Sequence, residues 1–578
     1  MSPNRQAKPR RTKRPVTCVR QHGAALLILL VILILGTTGL LLGSLNRSNV
    51  ALERDRITAE VLAQAKEALI QYSASITMAG SRPGDLLIPD VLEPTESPPN
   101  YDGTTDGTAN GCPGATNAEK RCLGRLPWRD LGMSLDTPTE NDTPGVMPWY
   151  AVSANLADPW LLDVLNSETA NPGTTPPGPG TPQAWITVRD ARGNIISNRV
   201  AAVIMLPGAS IGSQARPAPP NLAGANQYLD SVTVPAGCAA PCIPGTYSNS
   251  DFDNDFIMGE DSSRTADLND NFNDRLIYIT IDELMAVVEK RAGNEIKNIL
   301  KNYYAGWGAY PFAATFANPA TSSFLATTGI HNGLLPTTAP SLPTWAAEPT
   351  VTFTGGSGNA SCQLRGATNS QWRCNLSSIS GTPTIRITGV LNRIGLGLWK
   401  LHELSDVNQV RVRISGSGSN RLTTDAAISP AMGATLGASL DTAGAATIVF
   451  TGVVSSQITR IELMDVRLYT LPAWFTANNW NRVMYYAVSP GYVPGGGNAC
   501  SPLPGTPSCL TVGGNNRRAV VVMAGAALGV KVRPSGMRAD YFEGENATPA
   551  DDISPADYIY ENRSRTSEFN DQVIVVAP

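Results

Sequence analysis

The apolar positions of this chain are first continuous, then periodic, then alternating. Ala24 to about Gly43 is an unbroken apolar run. Roughly twenty such residues at ~1.5 Å rise give about 30 Å of helix, the thickness of a bilayer's hydrocarbon core. From Ser44 to about Ile76 the pattern becomes a stripe of Leu52, Val61, Leu62, Ala65, Leu69 and Tyr72, and Pro83-Gly84 closes it. A second stripe, Ile281, Met285, Val288, Ala292, Ile296, Ile299 and Tyr303, follows the capping-box spacing Thr280-Ile281-Asp282-Glu283. Short alternating stretches then predict strands at 350–354, 384–392, 408–415, 447–453 and 457–469.

An internal repeat organises the rest. Val203-Ile204-Met205-Leu206-Pro207-Gly208 recurs as Val520-Val521-Val522-Met523-Ala524-Gly525, gap-free to Arg216-Pro217 and Arg533-Pro534. Trp149-Tyr150-Ala151-Val152-Ser153 recurs as Tyr485-Tyr486-Ala487-Val488-Ser489, and Leu126-Pro127-Trp128 is echoed by Leu471-Pro472-Ala473-Trp474. Phe272-Asn273-Asp274 recurs as Phe569-Asn570-Asp571. Four blocks in one order predict two similar units, each opened by a helix that packs on short antiparallel strands.

The leader carries Arg5, Lys8, Arg10, Arg11, Lys13, Arg14 and Arg20 without an acidic residue, so the N-terminus is expected to stay cytoplasmic. Gly23 followed by Ala24-Ala25-Leu26-Leu27 resembles the leader junction of type IV prepilins and of the pseudopilins of type II secretion. The resemblance covers about residues 20–76. It implies cleavage after Gly23 by the prepilin peptidase and methylation of Ala24. It also implies packing against other pilin or pseudopilin subunits through the N-terminal helix. Most members carry a glutamate where this chain has Ile28, and its lack is typical of a subunit at the filament tip.

The expected fold class is therefore α+β. A leader (1–23) precedes a long N-terminal membrane-spanning stem helix (24–76) and a first pilin-like head (77–279). The helix and start of a second head (280–345) follow, then an inserted β-sandwich-like module (346–470), then the remainder of that head (471–578). The expected location is the bacterial inner membrane, single-pass, with the heads periplasmic or at the tip of an extracellular filament. The module reads either as decoration or as a domain that contacts an extracellular surface or secreted cargo. The competing functional reading is a membrane-tethered periplasmic binding or adhesion protein that never enters a filament.

Composition narrows the chemistry. In 578 residues, Gly 53 and Pro 44 predict long loops and mostly β structure, and a net charge of −4 gives no electrostatic case for nucleic acid. Apart from Cys18 in the leader, the cysteines fall into near pairs: Cys112 and Cys122, Cys238 and Cys242, Cys362 and Cys374, Cys500 and Cys509. Even, locally paired cysteines suit disulfides of an oxidising compartment; for Cys238 and Cys242, zinc is the alternative. His22, His331 and His402 are the histidines, and no metalloprotease, nucleotide-loop or nucleophile-elbow motif appears, so no enzyme is expected. Asp251, Asp253 and Asp255 alternate as calcium ligands can, making Ca²⁺ the one cofactor the sequence raises. Phe256 and Ser262 stand where an EF-hand loop needs glycine and glutamate, and a solvated acidic loop is the other reading.

Overall fold

In the computed structural model, the residues described are 55–76, 82–90, 103–105, 122–134, 147–153, 155–156, 164–168, 185–208, 210–211, 214–216, 225–238, 240–251, 255–259, 272–307, 309–316, 329–337, 344–365, 369, 371–393, 396–403, 407–415, 421–425, 435–440, 445–451, 458–464, 469–493, 496–500, 508–529, 531–547 and 558–578. Between 390 and 464 the description is almost entirely of backbone. Three α-helices lie among them: α1 (55–75), α2 (Ile281–Trp307) and α3 (Ala473–Ala477).

The first unit contains β1 (Cys122–Arg125), β2 (Trp149–Val152), β3 (Ile186–Asp190), β4 (Ile195–Leu206), β5 (Ser231–Val234), β6 (Gly245–Ser248), β7 (Asp255–Met258) and β8 (Arg275–Thr280). Its sheet runs β1-β2-β4-β3-β7, with β8 on the C-terminal half of β4 and β5–β6 as a separate hairpin. The second unit contains β9 (Asn332–Leu334) and, after the module, β19 (Met484–Val488), β20 (Leu510–Val512), β21 (Asn515–Arg517), β22 (Ala519–Met523), β23 (Ile559–Tyr560) and β24 (Gln572–Ala577). These form the sheet β24-β22-β19-β9 and the smaller sheet β21-β20-β23.

The two units share a register. Tyr150 opposes Ile204, which opposes Ile277; Tyr486 opposes Val521, which opposes Ile574. Tyr150 Oη donates to Leu87 O at 3.0 Å, and Tyr486 Oη donates to Pro311 O at 2.9 Å. The backbone bridge of Asp90 to Arg125 is repeated between Ala314 and Leu334. Leu334-Leu335-Pro336 thus takes the place of Arg125-Leu126-Pro127. The echo at Leu471-Pro472-Ala473-Trp474 is where the chain rejoins the unit after the module, with Tyr469 Oη donating to Pro336 O at 2.5 Å.

The main sheet of each unit has central segments buried on both faces. Trp149–Val152, Met484–Val488 and Ala519–Met523 show less than a tenth of their surface throughout, as their unbroken apolar sequences require. Two amphipathic helices cover them. Val61, Leu62, Ala65, Leu69 and Ile70 of α1 and Ile281, Met285, Val288, Ala292, Ile296 and Tyr303 of α2 are buried in one continuous cluster with residues of both sheets. Thr280 Oγ1 caps α2 by accepting from Glu283 N at 3.1 Å.

Several expectations are corrected here. The fold is strand-dominated with mixed sheets, because β3 pairs with β7 and β20 with β23 in parallel. Among the described residues, no helix is long and apolar enough to cross a membrane. That overturns the long membrane-spanning helix and the single-pass inner-membrane placement built on it. The helices present are amphipathic: α1 carries Asp55, Arg56, Glu60, Lys66 and Glu67, and α2 carries Asp282, Glu283, Lys290, Arg291, Glu295, Lys297 and Lys301. The apolar run 24–43 and Leu52 lie outside the described residues.

The inserted stretch holds β10 (Thr344–Trp345), β11 (Thr350–Arg365), β12 (Gln371–Arg393), β13 (Leu396–Glu403), β14 (Val407–Ser415), β15 (Arg421–Asp425), β16 (Thr435–Leu440), β17 (Ala445–Thr451) and β18 (Ile458–Met464). They make one nine-stranded sheet rather than two separate ones. The long β12 serves both halves, pairing with β18 at 372–375 and with β17 at 385–390. A small core of Trp345, Trp372, Ile385 and Ile387 lies at its root, the two indoles edge to face with centroids 6.1 Å apart.

Candidate functional site

The two sheets carry the same polar clasp where the strand after the repeated apolar block ends. Arg216 donates from Nη1 to Gly208 O at 2.7 Å, from Nε to Gln227 O at 3.4 Å and from Nη2 to Tyr228 O at 3.3 Å. Arg533 donates from Nη1 to Gly525 O at 2.5 Å, from Nε to Asp540 O at 2.7 Å and from Nη2 to Tyr541 O at 2.7 Å. Each guanidinium also lies over a tyrosine ring, Tyr228 at 5.3 Å and Tyr541 at 4.9 Å. Glycine is needed at 208 and 525 for packing, since an added Cβ would stand 2.4 Å from Cγ of Asn273 or Asn570.

Behind each arginine lies a buried carboxyl. Asp274 Oδ2 accepts from Asp230 N at 2.8 Å and Asn249 Nδ2 at 3.1 Å; Asp571 Oδ2 accepts from Glu543 N at 3.0 Å and Asn546 Nδ2 at 3.1 Å. Asn249 and Asn546 each close a two-way bond with the backbone, of Ile257 and of Glu561. Burial, and then the facing acid, push Asp274 and Asp571 up: Asp274 well above the usual carboxylate range, Asp571 to about 8. Burial raises Asp230 as well. Glu543 differs from its counterpart in pairing with Lys531, Nζ to Oε1 at 2.7 Å.

A second buried cation occupies one place in both units but comes from different positions. In the first unit Arg125 lies 4.0 Å from the Trp149 ring and 4.5 Å from the Tyr228 ring. In the second, Arg538 lies 3.6 Å from the Tyr485 ring and 5.8 Å from that of Phe542. The backbone bridges equate Arg125 with Leu334, and matching turn bonds equate Arg538 with Ala225. The chain thus contains a natural transposition of one charge. Arg538→Ala alone is expected to cost about 2–4 kcal/mol and Leu334→Arg alone a similar amount. The double variant should recover on the order of 1–3 kcal/mol of their sum in a denaturant melt.

Between the units runs a cleft of about 540 Å³. Its floor is Glu289 of α2, 1% exposed, which accepts from Ser167 Oγ of the first unit at 2.8 Å and pairs with Arg565 of the second. Burial raises the Glu289 carboxyl, and Arg565 opposes that rise. At the rim Arg199 forks onto Asp282, at 2.6 and 2.8 Å, and Met285, Ala526, Ala527 and Leu528 supply apolar wall. Nearby, Leu165 N and Asn166 Nδ2 bond to Asn478 at 2.9 and 2.7 Å. The lining contains no histidine or cysteine. Ser167 and Arg199 of the first unit and Arg565 of the second all bond to acids of α2, so the arrangement ties the two bodies together through that helix.

The sequence-predicted residues fare unevenly. Gly23, Ala24, Ile28, Cys112 and Asp253 lie outside the described residues, as does the side chain of Cys122. Cys238–Cys242, Cys362–Cys374 and Cys500–Cys509 are disulfides, with Cα atoms 6.2, 3.9 and 5.0 Å apart. Asp255 begins β7 and pairs with Arg189 at 3.3 Å. Among the described residues no cluster of three or more His, Cys, Asp or Glu side chains has the geometry to hold a metal ion. Arg216, Arg533, Asp274 and Asp571 stand inside the recurring blocks, whereas their partners Asp230, Asn249, Glu543 and Asn546 lie outside them. No protein family, characterised protein or solved structure matches this chain.

Proposed function

We propose that this chain is a minor, tip-located structural subunit of a type IV pilus or type II secretion pseudopilus, presenting the inserted β module to an extracellular surface or secreted cargo. One observation carries the reading: the helix-on-sheet unit occurs twice, in one register, behind a single N-terminal segment. A shaft subunit must repeat at close spacing. Two fused bodies with a nine-stranded module between β9 and β19 leave no room for that, and an end position does. Ile28 in place of the family's glutamate agrees, since a tip subunit has no neighbour above it whose amine a carboxylate could pair with.

In this reading the prepilin peptidase removes residues 1–23, and the segment from Ala24 packs among the corresponding segments of sister subunits. The units and their clasps form a rigid platform. The test is the intact mass of the protein isolated from its own cells. Loss of residues 1–23 with a methylated Ala24 supports the proposal, and Gly23→Ala should abolish that processing. A retained leader in the parent chain contradicts it.

A further inference from the structure

The edge of the inserted sheet offers a surface of its own. Among the described residues β11 pairs only with β12, so one side of a sixteen-residue strand is open. Its register shifts fall between Thr354 and Gly356 and between Ser357 and Asn359, leaving Asn359–Arg365 as a regular run. That run contains no proline, no glycine and one charge, Arg365, and so lacks the usual devices that discourage strand addition.

The Cys362–Cys374 disulfide joins directly opposed residues and fixes the twist and register of this run. Their Cα atoms are 3.9 Å apart, the narrow spacing of a non-hydrogen-bonded pair. At Cys362 the backbone N–H and C=O therefore point away from β12, toward the open edge. By the two-residue alternation of a strand, those of Ala360 and Leu364 do the same.

We propose that this edge pairs with the same edge of a second copy, antiparallel about Cys362, to join the two modules into one continuous sheet. The run is complementary to itself in that arrangement. Ala360 meets Leu364 on one face, while Ser361 meets Gln363 and Asn359 meets Arg365 on the other. Apolar faces apolar, polar faces polar, and the single charge meets a neutral amide. The outward groups of Ala360, Cys362 and Leu364 all fall in hydrogen-bonded pairs across the two-fold. A contact of seven residues a side is small, so the dimer is weak, forming in the micromolar range.

The test is sedimentation of the full chain across the micromolar range by analytical ultracentrifugation. The parent should dimerise with concentration. Ala360→Pro removes an edge-facing donor without touching a bond to β12, and should weaken dimerisation at least about tenfold. Should that variant misfold, charge pairing decides. S361K/Q363K and S361D/Q363D chains should each stay monomeric and should dimerise when mixed. A monomeric parent, or association indifferent to both the proline and the charges, overturns the proposal.

Discussion

Replacing Asp571 with asparagine should make the protein more stable at pH 8 and flatten its pH dependence. In the folded chain burial, then the neighbouring Glu543 charge, raise this carboxyl to about 8, whereas an unfolded aspartate titrates near 3.9. The sign follows from linkage. Below about pH 4 both states hold the proton, and the folded state keeps its full stability. As pH rises toward 8 the unfolded chain releases the proton and the folded chain does not, so stability falls across that window. At about 1.4 kcal/mol per unit of difference the loss is on the order of 5 kcal/mol. The groups facing Asp571 are Glu543, with its partner Lys531, and Arg533. Asparagine keeps an oxygen for Glu543 N and Asn546 Nδ2 and never ionises. Asp274 is displaced in the same direction, so Asp571→Asn should remove part of the slope and the Asp274→Asn/Asp571→Asn pair most of it. Thermal melts from pH 5 to 9 measure this; a parent whose melting temperature is level over that range refutes it.

Arg533→Ala should be among the most damaging single substitutions, costing about 3–5 kcal/mol. It strips hydrogen bonds from the carbonyls of Gly525, Asp540 and Tyr541 at once and removes the cation beside a buried acid. Arg533→Lys should recover little, because an ammonium on a flexible stem cannot bond three fixed carbonyls as a planar fork does. Arg216→Ala should be milder: two of its three counterpart bonds are longer, at 3.3 and 3.4 Å against 2.7 Å. Since α1, α2 and both sheets share one hydrophobic cluster, either variant should lower a single cooperative transition. Denaturant unfolding followed by tryptophan fluorescence reads both effects. Two separate transitions in the parent would show that the units fold apart.

The α2 helix and the repeated apolar strands were legible because they rest on local pattern. Val61, Leu62, Ala65 and Leu69 of α1, Ile281, Met285, Val288, Ala292, Ile296 and Tyr303 of α2, and the apolar blocks of β2, β4, β19 and β22 are buried where their spacing puts them, while Tyr72 and Ile299 are half-buried. Other parts depend on partners far along the chain. β20, β21 and β23 are two or three residues long, and no period can be read from so few. Their match to β3, the start of β4 and β7 emerges only from pairing. In the module, β13, β15 and β16 went unread: β15 has a single apolar residue, Leu422, and Gly397, Gly437 and Ser439 interrupt the other two. The clasps escaped for a different reason. Asp274 and Asp571 look like solvated acids beside asparagines until the fold buries them; Glu289 differs, an acid one turn from Met285, Ala286, Ala292 and Gly293 on the apolar face of α2, where the spacing already marks it as buried. For the two aspartates, burial is a property of the assembled layers, and the chain's local pattern does not carry it.

The proposed function rests on a duplicated body carried at the end of a fibre. Filaments sheared from the producing cells, with gold directed at the module between β9 and β19, test this directly. The account predicts label at fibre ends and none along the shaft. Label spread evenly along the fibres, or fibres that never carry it, would contradict the account.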